Sequence, residues 1–92
     1  MIKTFKCKHT KSLFNGKPDA KLKASERIAA RKLQMLDMAG VLDDLKMPLG
    51  NRLEALKGDR KGQFSIRINQ QWRICFEFKD GNALAVEIVD YH

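Results

Sequence analysis

Three runs in the second half of the chain leave little freedom about its fold. "FSIRIN", "WRICFEFK" and "ALAVEIV" each alternate apolar with polar residues. Alternation of period two sends successive side chains to opposite faces of a strand. Phe64, Ile66 and Ile68 share one parity, as do Trp72, Ile74, Phe76 and Phe78, and then Leu84, Val86 and Ile88. "NQQ" and "KDGN" join the runs. Asp80-Gly81 suits a type I′ hairpin turn, in which both central residues need positive φ. The reading is an antiparallel meander with one oily face that needs a cover.

Earlier residues supply that cover. Over residues 20–39, Leu22, Ser25, Ile28, Ala29, Leu33, Leu36 and Ala39 fall on one side of a 3.6-residue period. Lys23, Glu26, Arg27, Arg31, Gln34 and Asp37 fall on the other side, and Gly40 marks a stop. "VLDDLKMP" reads as one further turn ended by Pro48, "IKTF" as a short first strand, and "KSLFNGKPDA" as a helical turn at most. Asp19 stands where it can cap the helix that follows, and "RLEAL" is short and ambiguous. The fold class expected is α+β, a single domain over residues 1–92 with N-terminal helices on one face of a small antiparallel-rich sheet.

Composition narrows the partners. A formal net charge of +7 and a pI near 9.7 favour a polyanion, nucleic acid first, over a membrane surface or an acidic protein. No apolar run approaches the roughly 20 residues that span a bilayer. The basic start is not followed by an apolar segment, so the cytoplasm is the expected location. Cys7 and Cys75 are far apart and read as small packed apolar residues. Two cysteines and two histidines are too scattered for a zinc pattern, and neither metal nor other cofactor is expected.

The polar parity of the strands carries the chemistry. It holds Ser65, Arg67 and Asn69, then Arg73, Cys75, Glu77 and Lys79, then Glu87, Val89 and Tyr91. With helices on one face, these residues line the other, and pairing brings Arg67 and Arg73 together. Guanidinium forks match phosphate oxygens in pairs, and Tyr91 offers a stacking surface for an unpaired base. An ordinary wet sheet face, with Arg73 paired to Glu77 or Glu87, fits the same alternation. The run then reaches Asp90, Tyr91 and His92, side chains suited to proton transfer near neutral pH. RNA cleaves itself when one group takes the 2′-OH proton, another holds charge on phosphorus and a third protonates the leaving 5′-oxygen.

"LKGDRKGQFSIRINQQWRICFEF" together with "VEIVDYH" resembles the RelE/HigB superfamily of bacterial toxins, closest to its HigB-like, host-inhibition branch. The likeness runs from "MIKTF" to the last residue, and Leu56–Arg60, Trp72-Arg73-Ile74 and Asp90-Tyr91-His92 are its most specific pieces. The resemblance implies a RelE-like, microbial-ribonuclease-like fold. It implies a toxin that enters the A site of the 70S ribosome and cuts mRNA without metal, by 2′-OH attack, leaving a 2′,3′-cyclic phosphate. It also implies a cognate helix-turn-helix, HigA-like antitoxin as partner, with operator DNA reached only through that antitoxin and no membrane partner.

Position by position, the resemblance gives Lys57 and Arg73 the scissile phosphate and makes Asp90, Tyr91 and His92 the catalytic end. Relatives can carry a histidine where this chain has Glu54, which can act as a base but not as a cationic acid. Gln71 stands where a relative can have asparagine. Arg67, Arg60 and Gln71 complete the expected RNA contacts. The alternative function is a non-catalytic RNA-, ribosome- or antitoxin-binding regulatory protein on the same fold.

Overall fold

The computed structural model describes residues 1–90, so Tyr91 and His92 lie outside the described residues. Two helices, α1 (Lys8–Phe14) and α2 (Glu26–Met38), precede four strands: β1 (Glu54–Ala55), β2 (Phe64–Arg67), β3 (Trp72–Lys79) and β4 (Asn82–Asp90). The strands form one antiparallel sheet in the order β1-β2-β3-β4. This is the α+β arrangement that the sequence predicts. Among the described residues no helix is long and apolar enough to cross a membrane.

α2 is amphipathic because its apolar residues recur at helical spacing, and Ala29, Leu33 and Leu36 are wholly buried. They meet Ile66, Ile74, Phe76 and Val86 from the sheet in one core. The helix starts later than the periodicity predicts. Lys23 adopts a left-handed φ of 45°, so Lys23–Ser25 forms a 3-10 turn and regular helix begins at Glu26.

α1 is longer than the single turn expected from "KSLFNGKPDA". Seven residues are too few for a helix to stand alone in water. Here Thr10 and Leu13, three residues apart, are buried together, and the Thr10 hydroxyl accepts a hydrogen bond from the Ile88 amide at 3.1 Å. Tertiary packing therefore overrides the weak local signal. "IKTF" pairs with β4 only through two isolated parallel bridges, Ile2 to Ala83 and Phe5 to Val86.

The β3–β4 turn is as its sequence dictates. Asp80 and Gly81 have φ of 52° and 79°, as a two-residue type I′ connection requires. Further along, the alternation of β4 breaks. Cys75 pairs with Glu87 but Glu77 with Leu84, which leaves one extra residue in β4. That residue is Ala85, at φ 52°, whose amide donates to the Thr4 hydroxyl at 2.7 Å. The bulge moves Leu84 off the core face and puts Ala83 there instead, fully buried opposite Phe78.

Candidate active site

The second face of the sheet is neither open nor merely wet at its centre. Ser65 and Cys75 have no exposed surface, and Arg73 keeps only 7%. The segment after α2 lies across them. Its Arg52 carbonyl accepts a hydrogen bond from Arg73 Nη2 at 2.7 Å, and its Arg60 pairs with Glu87 Oε1 at 2.8 Å. Burial of this kind is tolerable for a guanidinium only when its N–H groups find acceptors. Arg73 Nε donates to the Ser65 hydroxyl at 2.8 Å, and Nη2 stands 3.7 Å from Glu54 Oε1. The expected ion pairs of Arg73 with Glu77 or Glu87 are replaced by this set.

Strand register then gathers a cleft. Arg67 and Arg73 are direct cross-strand partners, and Glu54 sits opposite Ser65 on the neighbouring strand pair. With Arg52 they line a depression of about 210 Å³ at the β2–β3 end of the sheet, completed by Asn69 and Gln70. Among the described residues that line it are three arginines and one carboxylate, an excess of positive charge. Arg67 is steered by its Nε, which donates to the Asn69 carbonyl at 3.0 Å. Such forks hold an anion's oxygens in defined directions.

Asn69 is the organiser that pattern reading missed. Its side-chain oxygen accepts from the amides of Gln71 and Trp72, both at 2.8 Å, and its amide donates to Ser25 Oγ at 2.6 Å. The turn that presents the arginines is thus tied to the start of α2. An Asn opening a polar turn is a recognisable Asx signal. Arg52 was also missed, and nothing local announces it. Its left-handed φ of 45° ends the 3-10 turn Leu49–Asn51.

The other expected residues divide. Gln71 donates to the Asp90 carboxylate at 3.2 Å, joining the β2–β3 turn to the end of β4. Trp72 pairs with Asp90 in the β3–β4 register, so the Asp90 side chain shares the face of Trp72, opposite to that of Arg73. Lys57 is exposed, two residues beyond β1, and does not line the cleft. Arg60 is occupied by Glu87 and by Gln63 Oε1 at 3.1 Å, on the part of the face that covers Cys75. Burial pushes the Cys75 thiol up, with Arg60 and Glu87 acting in opposite senses, so the thiol is protonated at neutral pH and is no nucleophile. Among the described residues no group of three or more His, Cys, Asp or Glu is gathered as a metal would need. Tyr91 and His92, expected to complete the site, are beyond the described residues.

Comparisons with known proteins fall on one group. Residues 3–92 match a family described as the RelE-like toxin of the type II toxin–antitoxin system HigB. "Endoribonuclease HigB" of Proteus vulgaris is 39% identical over 94 aligned residues, covering 100% of both chains. "Toxin HigB-1" of Vibrio cholerae serotype O1 is 49% identical over 59 residues, 64% of this chain and 62% of that protein, so the match spans under two thirds of its length. In solved structures, a chain of the heterotetrameric YoeB–YefM toxin–antitoxin complex from Staphylococcus aureus superposes with a TM-score of 0.61. It covers 100% of this chain and 98% of its own at 18% identity, a likeness of fold.

Proposed function

Because the chain belongs to the HigB-like toxin family of type II toxin–antitoxin systems, we propose that it is an endoribonuclease that cuts mRNA in the ribosomal A site and so arrests translation and growth. The observation that carries this reading is the direct pairing of Arg67 with Arg73 in one cleft, with Glu54 3.7 Å from the Arg73 guanidinium. A phosphodiester seated there meets fixed N–H donors and a carboxylate at once.

In the proposed reaction the RNA supplies its own nucleophile. Glu54 or His92 takes the 2′-OH proton, and Asp90 anchors the end of β4 through Gln71. The 2′-oxygen bonds to phosphorus, and the bond from phosphorus to the 5′-oxygen breaks. Arg73, with Lys57 reaching in from the rim, holds the charge that builds on the phosphoryl oxygens. His92 protonates the departing 5′-oxygen, and Tyr91 stacks on a base beside the cut. Preorganised donors of this kind are worth about 10²- to 10³-fold in rate each. Arg67 and Gln71 bind RNA around the cut, while Arg60 ties the covering segment to Glu87. The protein works in the cytoplasm, its partners are the 70S ribosome and a helix-turn-helix antitoxin, and operator DNA is reached only through that antitoxin.

The test is the end group. Ribosome-bound mRNA cut by the purified protein should carry a 2′,3′-cyclic or 3′-phosphate, and cutting should persist in excess EDTA once the ribosome's magnesium is supplied. A 5′-phosphate product would point to metal-activated water and overturn the mechanism. Absence of any cut, with normal folding, would leave the non-catalytic alternative.

A further inference from the structure

The arginine cleft does not account for the charge of this protein. Residues 1–25 hold seven lysines and a single carboxylate, Asp19, a formal +6. The other 67 residues hold eleven basic and ten acidic side chains and contribute only +1. The polyanion signal of the composition is thus a property of the N-terminal segment.

That segment forms one wall of a second cleft, about 430 Å³ in volume and larger than the first. His9 and Thr10 of α1 and Asp19 and Lys21 of the following loop face Trp72 and Asp90 across it. Lys8, His9, Lys11, Lys17, Lys21 and Lys23 are all exposed. Trp72, the protein's single tryptophan, is only half-buried, packed against the core and lining the cleft. Two carboxylates, Asp19 and Asp90, also line the cleft, and the exposed lysines of the segment outnumber them. Asp19 Oδ1 accepts the Lys21 backbone amide at 2.9 Å, and Asp90 Oδ2 accepts from Gln71 at 3.2 Å. Trp72 and Arg73 are consecutive in β3, so the two clefts open on opposite faces of the sheet at the same end. The Asn69–Gln71 turn and Asp90 separate them.

We infer that this second cleft is a binding site for single-stranded RNA: one unpaired base stacks on Trp72, and Lys21 and His9 take the phosphate beside it. A strand leaving the arginine cleft then crosses the sheet end and is held on both sides of the cut. An unpaired strand is specified because an aromatic platform needs a splayed base, and every base has a face to stack. The lysine-rich wall supplies the sequence-independent phosphate attraction. The inference rests on the RNA substrate proposed above.

Trp72 makes the test direct, since it is the single tryptophan and lines this cleft. A short mixed-sequence 2′-O-methyl RNA, which lacks the 2′-OH needed for cleavage, is titrated into the full chain. Emission should quench saturably. Lys21→Glu should weaken the titration roughly ten-fold or more. Lys46→Glu, the same charge change on the segment after α2, should move it much less. Unmoved emission at saturating RNA, or equal losses in Lys21→Glu and Lys46→Glu, overturns the inference. Cleavage of ribosome-bound mRNA is followed in parallel. Cutting with unmoved emission sinks only the second cleft, whereas a saturable, Lys21-dependent quench without cutting supports the cleft and sinks the catalytic reading.

Discussion

Ile74 and Arg73 are neighbours in β3, and both are buried, at 0% and 7% exposure, but by different physics. Ile74 lies under the helices among Leu, Ile and Phe side chains, where burial is favourable by itself. Arg73 lies under the segment after α2 and is held by a hydroxyl, a carbonyl and a carboxylate. The two faces of one strand teach that alternation tells which way a side chain points, not what lies over it. A polar face can be the more constrained of the two, because each buried donor must be matched.

The comparison breaks most sharply at the chain's end. Removing Tyr91 and His92 should lower cleavage by about 10²- to 10⁴-fold, the range of general acid–base groups, with the thermal midpoint unchanged. A truncated chain that still cuts at the full rate moves the acid and base to Glu54 and Lys57. Ile74→Ala should do the opposite, costing about 2–5 kcal/mol in denaturant unfolding while each folded molecule keeps its cleavage rate. Arg73→Ala should do both. Its strand parity alone predicts no structural cost, but loss of the guanidinium leaves the buried Ser65 hydroxyl and the Arg52 carbonyl without this donor, about 1–3 kcal/mol in the same unfolding experiment. A midpoint equal to that of the intact protein would mean that water replaces those bonds.

The smallest effect is expected at Arg60. Its pair with Glu87 is about a third exposed on the arginine side, so Arg60→Ala should cost at most about 1 kcal/mol and leave cleavage unchanged. A ten-fold fall in cleavage at unchanged stability would instead make it the RNA contact that the resemblance implies.

The helix face was legible because apolar alternation and helical periodicity report on the same core from two sides, as Leu33, Leu36, Ile66 and Ile74 show. The pairing of Arg67 with Arg73 was legible for the same reason. Three things were not. The Ala85 bulge exchanges Leu84 for Ala83 through a backbone conformation that alanine does not advertise. The carbonyl of Arg52 reaches Arg73 from a left-handed residue that ends the 3-10 turn Leu49–Asn51, a conformation that arginine does not advertise. The second cleft joins residues from positions 7 to 90, and no local pattern brings a lysine near residue 20 to a tryptophan at 72.

The central claim is that the buried guanidinium of Arg73 acts on the phosphate in the transition state and not merely on the fold. Arg73→Lys isolates it, because the charge remains while the fork is lost. The measurement is single-turnover cleavage of ribosome-bound mRNA across a range of toxin concentrations, with variant and intact protein matched for folded fraction. The maximal rate should fall about 10²- to 10³-fold while the half-saturating concentration stays the same. A maximal rate equal to that of the intact protein would contradict the account and return Arg73 to a structural role.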